Sequence, residues 1–235
     1  MVEQVENSDE PEGVAKMNGM ILESTPHLST AGCDMTLLYM PPGAKHVVTE
    51  GTIVCLLRSN LLSQHPLALR RSLLTSETSR LRSGEDGYLL FLCTQYHDGG
   101  PLMDDIKGMD IEWFEYDRDM YRTLPQIHVG GYRINLWYLG PNKEGGIHNH
   151  ATDPVPFVEF HTQLRGNGWM VKYADEEGTE QLGERVAMEV GYTHDLFCTV
   201  KNSKVTYPWH QYIAGPEGAL FIVFEDTITT GDFRS

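Results

Sequence analysis

The stretch GGIHNHATDPVPFVEFHTQLRGNGW, residues 145–169, decides how this chain is read. His148 and His150 are two apart, so on an extended strand both imidazoles leave the same face. From Phe157 the pattern alternates. Phe157, Glu159, His161, Gln163 and Arg165 share one face, while Val158, Phe160, Thr162 and Leu164 share the other. The apolar face has to be buried. A face of Glu, His, Gln and Arg is a costly set for a solvent-facing strand, and it suits the lining of a cavity.

Outward from this segment, short turn-bounded strands dominate. Upstream lie IEWFEYD and GYRINLWYLG; downstream lie GWMVKYAD, ERVAMEVG, FCTVKN, VTYPWHQYIAG and ALFIVFED. Many short strands with no βαβ alternation and no Gly-rich phosphate loop predict an all-β sandwich or barrel. In YRINLWYLG, Arg133, Asn135 and Trp137 share a face, and the strand leads directly into the histidine pair. Pointing inward, Arg133 and Asn135 would grip a substrate carboxylate or hydroxyls, joined by Gln163 and Arg165.

His-x-His, a glutamate, six residues and a glycine, here His148, His150, Glu159 and Gly166, resembles the first motif of the cupin superfamily. The second cupin motif supplies a histidine from a late strand after a proline, and TYPWHQY offers Pro208 and His210. The chain departs from the pattern in two ways. Eight residues separate His150 from Glu159, and the glycine usual between proline and histidine is missing. The resemblance covers residues 128–227 and implies a jelly-roll barrel, the double-stranded β-helix. It also implies a divalent metal on His148, His150, Glu159 and His210, and a homodimer. Three imidazoles and one carboxylate leave open positions on the ion, which suits substrate or dioxygen binding rather than a closed structural site. Without a thiolate, Fe(II), Zn(II), Mn(II), Ni(II) and Co(II) all fit, and the dioxygenase reading favours Fe(II). His161 reads as a fifth ligand, a general base or a core histidine; Tyr212, two beyond His210, shares that residue's strand face. Either would move a proton.

The first half is less distinctive. Residues 1–24 read as a flexible acidic tail. Residues 25–125 read as a degenerate cupin-like half lacking His-x-His, making a bicupin, or else as an extension; residues 126–235 form the metal-binding barrel. Within the first half, LLSQHPLALRRSLLTSETSRLRSGEDG has leucines at helical spacing and predicts the single helical segment.

Composition narrows the partners. The formal charge is −15, from 33 acids against 18 bases, which argues against nucleic acid or an anionic membrane. The polar acidic start and the lack of a long apolar run make a cytoplasmic protein the expectation. The four cysteines form no CxxC pair, and Cys55 and Cys93 sit in apolar runs, as buried thiols do. The expected function is a metal-dependent enzyme, first a non-haem Fe(II) dioxygenase on a small polar substrate. The alternatives are a metal-assisted isomerase, epimerase or lyase on a sugar or keto acid, or a non-enzymatic binding protein.

Overall fold

The computed structural model describes residues 3–4, 20–21, 28–29, 33–59, 71–83, 87–95, 112–124, 126–129, 131–153, 155–201 and 204–227. Among them there is no helix; every regular element is a strand, paired antiparallel. The chain divides into two compact units. One holds residues 1–100 with 108–110, and the other holds 101–107 with 111–235.

The first unit contains β1 (Glu3–Gln4), β2 (Met20–Ile21), β3 (Leu28–Ser29), β4 (Cys33–Met40), β5 (Lys45–Val48), β6 (Thr52–Ser59), β7 (Arg71–Leu74), β8 (Ser79–Arg82) and β9 (Tyr88–Gln95). One sheet runs β2-β4-β9-β6-β7 with β3 on β4, and a smaller one runs β1-β8-β5. Leu38, Met40, Val54, Leu56, Leu90 and Leu92 from the larger sheet meet Val48 and Leu81 from the smaller, and Ala44 from the turn before β5, in one buried cluster. Each leucine buried there contributes about 1.5–3 kcal/mol. The helix predicted over residues 61–87 is corrected in its described part. Residues 71–74 and 79–82 are strands β7 and β8, and 60–70 and 84–86 lie outside the described residues. The leucine spacing misled because Leu73 and Leu74 are both half-exposed and make no helical stripe, while Leu81 alternates inward with period two. The acidic tail expected over 1–24 falls almost wholly outside the described residues.

The second unit contains β10 (Glu112–Asp117), β11 (Met120–Leu124), β12 (Ile127–Val129), β13 (Tyr132–Leu139), β14 (Phe157–Tyr173), β15 (Val186–Met188), β16 (Thr199–Lys201), β17 (Lys204–Thr206) and β18 (Trp209–Thr227). The main sheet runs β10-β11-β13-β18-β14-β15, with β12 on β13. Strands β10 and β11 thus belong to this sheet, so the unit begins before the boundary at residue 126 that the sequence suggests.

The long strands β14 and β18 pair along nearly their whole length, with bulges between Gln163 and Arg165 and between Gly166 and Gly168. Bulges bend a strand and sharpen its twist. Beyond the bend the sheet closes on itself. Tyr212 stacks on Phe221 of its own strand at 4.3 Å, and Met170, Met188, Tyr212 and Ala214 share a core with Leu139, Ala219, Phe221 and Val223. The other face of the sheet is mostly apolar, with the buried Thr162 hydroxyl paired to that of Thr193. There Phe160 stacks on Phe224 at 5.1 Å, and Tyr132 stands edge-on to both. The result is a curled β-barrel whose inner face carries the polar residues of β14.

Candidate metal centre

Antiparallel partners project to the same face of a sheet. Glu159 is opposite Glu225, and Glu225 is opposite Arg133; His161 is opposite Val223, and Val223 is opposite Asn135. The inner face is therefore laid out in rows, with Arg133, Glu225 and Glu159 forming the row nearest the histidine pair.

His148 and His150 are not on a continuous strand. His148 makes an isolated bridge to His210, donating to its carbonyl at 3.0 Å and accepting from its amide at 2.9 Å. The chain then turns sharply, and His150 sits at φ 58°. A left-handed residue other than glycine is strained and persists where its surroundings hold it. Here Asp153 does so, donating its amide to the His150 carbonyl and accepting from His150 Nδ1 at 3.0 Å. Bridge and turn together bring both rings to His210, with centroids 4.4 Å (His148–His210), 5.2 Å (His150–His210) and 4.7 Å (His148–His150) apart.

One ligand atom from each of His148, His150, Glu159 and His210 lies within 4.8 Å of all the others, so the group can hold a metal ion. The tautomers favour it. His148 Nδ1 meets the Gly146 carbonyl at 2.9 Å and His210 Nδ1 meets the Pro208 carbonyl at 2.9 Å. A carbonyl only accepts, so both Nδ1 atoms carry the proton and both Nε2 lone pairs are free. Asp153 does the same for His150, whose Nε2 is buried without a hydrogen-bond partner, 3.4 Å from Glu159 Oε2. A cation would satisfy that nitrogen. Glu159 and His210 are buried while His148 is exposed, so the group is closed on one side and open to solvent on the other.

The electrostatics agree. Burial would raise the Glu159 carboxyl, but His161, with its hydrogen bond, and the neighbouring imidazoles of His150 and His210 hold it well below the usual range. His148 is open to solvent on one edge, but desolvation of its ring among the packed imidazoles, with His210 alongside, pushes it down to about 4, so it is a neutral ligand at pH 7. Burial also disfavours charge on His150, yet Glu159 and Asp153 outweigh it and raise that imidazole. Because Asp153 fixes both the tautomer and the orientation of His150, Asp153→Ala is expected to weaken metal affinity about 10–100-fold. Competition against a chromophoric chelator measures this; unchanged affinity would remove Asp153 from the site.

The remaining sequence candidates divide. His161 Nε2 donates to Glu159 Oε1 at 2.7 Å, its amide donates to His194 Nε2 at 3.1 Å, and its buried Nδ1 has no partner. It therefore positions the carboxylate and lies outside the four-residue ligand group. Tyr212 Oη donates to Gln163 Oε1 at 2.6 Å, and Gln163 Nε2 donates to the Arg165 carbonyl, so these two hold each other rather than reaching the imidazoles. Asn135 is on the inner face, its Oδ1 buried without a partner. Arg133 also faces inward, 2.6 Å from Glu225 and over the Phe157 ring. Arg165 does not share the Glu159 face. The bulge after Gln163 puts it opposite Leu220, one residue out of the alternation that the sequence predicts.

Residues that sequence reasoning passed over also build the site. Asp153 is one of them, and its place three after His150 is the signal. Tyr207 Oη accepts from the Glu159 amide at 2.5 Å and donates to the Phe157 carbonyl, while its ring packs 4.8 Å from that of His150. Glu225 hid in the apolar run ALFIVFED, where Phe221, Val223 and Glu225 alternate inward.

Burial, with Glu159 nearby, raises the Glu225 carboxyl to about 7 against the pull of Arg133. A carboxyl raised on folding binds extra protons in the native state between its unfolded and folded values. Its stabilising contribution is therefore full below 4.5 and is lost as pH climbs to 7. In metal-free protein, Glu225→Gln should gain stability relative to wild type from pH 5 to pH 8. Discounted for solvent screening, the gain is about 1–2 kcal/mol. Paired thermal melts test it, and a pH-independent difference would contradict it.

No protein-family model matches the chain, and no curated protein sequence matches it. Among solved structures it is similar to a cupin 2 conserved barrel domain protein from Leptotrichia buccalis, at 10% identity over 85% of this chain and 86% of that one, with a TM-score of 0.34. It is similar to the oxalate decarboxylase formate complex from Lactobacillus farciminis, at 12% identity over 89% and 81%, with a TM-score of 0.36. A third is a mutant of the salicylate 1,2-dioxygenase from Pseudoaminobacter salicylatoxidans, at 8% identity over 84% and 71%, with a TM-score of 0.34. The all-β barrel and the His–His–Glu–His group on its inner face are the features that the cupin resemblance of the sequence implies.

Proposed function

We propose that the protein is a metal-dependent enzyme in which His148, His150, Glu159 and His210 hold one divalent ion, Fe(II) in the first reading. The reaction is dioxygen-dependent oxidation of a small polar substrate. What supports the metal most is one observation: all three Nδ1 atoms are tied to outward acceptors, which leaves three Nε2 lone pairs and a buried carboxylate converging. The ion supplies Lewis acidity and, as iron, one-electron chemistry. The chain's own residues do the rest. His161 holds Glu159 through Nε2 and takes or returns a proton at Nδ1. Asn135 Oδ1 accepts from a substrate hydroxyl, and Arg133 and Gln163 reach substrate by exchanging their present partners. Tyr207, Phe157 and Phe197 pack the imidazoles and keep water from their flanks.

A second reading, metal-assisted isomerisation or lysis of a sugar or keto acid, draws support from Glu225. A carboxyl near 7 beside the metal row suits proton transfer at neutral pH. Anaerobic reconstitution with Fe(II), Mn(II), Zn(II), Ni(II) or Co(II), followed by oxygen uptake with hydroxy acids and sugars, separates the two. Uptake with Fe(II) alone supports oxidation. Anaerobic turnover with the other ions supports the second reading, and no turnover with any ion leaves a binding protein. In the same proposal the molecule is a cytoplasmic homodimer without nucleic-acid or membrane partners, for which the charge of −15 and the resemblance speak. Its first unit is a cupin-like half without ligands. No described helix is long and apolar enough to cross a membrane.

A further inference from the structure

The residue directly opposite His210 on β14 is Lys172, so its side chain leaves the sheet on the imidazole's face. Lys172 is half-buried, and its Nζ lies 5.0 Å from the centre of the Phe197 ring. That ring stands edge-on to His210 at 6.0 Å and packs on His194 at 4.6 Å. Phe197 thus borders both the ammonium and the ligand group.

The charges near the group are unevenly matched. Arg133 faces the same interior, but it has Glu225 as a carboxyl partner at 2.6 Å. Lys172 has no carboxylate partner among the described residues; what its ammonium meets is the Phe197 ring. In a chain with 33 acids, a half-buried ammonium that meets an aromatic face instead of a carboxylate stands out. Ring faces attract cations but do not neutralise them.

We propose that Lys172 is a specificity-determining residue. It recognises the carboxylate of a small substrate whose other oxygen binds the metal held by His148, His150, Glu159 and His210. This rests on the metal-binding reading above. One ammonium balances a monoanion, which favours a carboxylate over a phosphate dianion.

The test uses the full chain loaded anaerobically with Co(II), whose visible bands report the metal's surroundings. Absence of those bands would defeat the metal reading and, with it, this proposal; their presence isolates the question of Lys172. Titrations with glycolate, its neutral counterpart glycolamide, and inorganic phosphate are read by the bands and by calorimetry. Glycolate should bind at least about tenfold more tightly than glycolamide, the scale of one charge-assisted hydrogen bond. Lys172→Gln should lose that preference while keeping its Co(II) and its glycolamide affinity, and Lys172→Arg should restore most of it. Lys172→Met, which keeps the stem over Phe197, reads the same loss if the glutamine variant folds poorly. Undiminished preference in the folded, Co(II)-loaded variants overturns the proposal. So does a wild type that ignores glycolate or prefers phosphate.

Discussion

Purified His148→Ala/His210→Ala protein is expected to hold less than about a tenth of the metal found in wild type, with its β-sheet spectrum intact. The two side chains are the pair bridged through their backbones, so their removal takes two converging Nε2 donors together. Losing an outer partner of a ligand costs about 10–100-fold in affinity, and losing the ligands themselves costs more. The backbone bridge does not depend on the imidazoles, since amide and carbonyl make it, and His148 is solvent-exposed. Folding should therefore survive. Elemental analysis gives the occupancy and melting gives a second reading. An ion at ~100 times its dissociation constant stabilises wild type by about 2.7 kcal/mol, and the variant should show no such rise. Equal metal in both proteins would place the ion elsewhere. No metal in wild type after reconstitution with each divalent ion would end the metal reading.

How much of this was visible in the sequence follows from which features are local. The alternation through Phe157–Gln163 is a period-two signal within one strand, so it showed the polar inner face and the apolar outer one. The ligand group was readable through its motif, although the geometry that joins it is not the one a strand would supply. His148 arrives by a bridge and His150 by a left-handed turn that only the fold displays. Cross-strand facts were invisible. Nothing local says that Glu225 stands between Glu159 and Arg133, or that Lys172 stands opposite His210. Such pairings depend on register, and a single bulge displaced Arg165 from the face that simple alternation assigned it. The helix expected in the first unit failed for a related reason. Leucine spacing over a short window fits both periods, and burial at Leu81 was decided by a neighbouring sheet.

Register also underlies the second large effect, Gly166→Ala, expected to destabilise the protein by about 2–4 kcal/mol. Gly166 lies between the two bulges of β14, at φ 66°, where an L side chain is already disfavoured. A Cβ there would collide with the Gly218 carbonyl oxygen and stand 3.0 Å from its carbonyl carbon, both of them backbone. Backbone cannot rotate aside as a side-chain tip can, so β18 would have to move. Gly218 itself is at φ 82° and packs against the Leu139 carbonyl, which leaves little slack on the far side. For a chain of this size the loss corresponds to a melting temperature lower by roughly 4–16 °C. Gly183→Ala is the control. Gly183 is also left-handed, at φ 71°, but nothing lies within 4 Å of its added carbon. It should cost only the conformational term, about 1 kcal/mol. If the two variants melt together, close approach of β14 to β18 at the bend does not matter, and the glycine's place in the motif has another cause. If Gly166→Ala alone falls and also binds metal more weakly, the bend is what sets Glu159 against the histidines. Moving β18 at Gly218 shifts the strand that carries His210 on one side of the bend and Glu225 on the other.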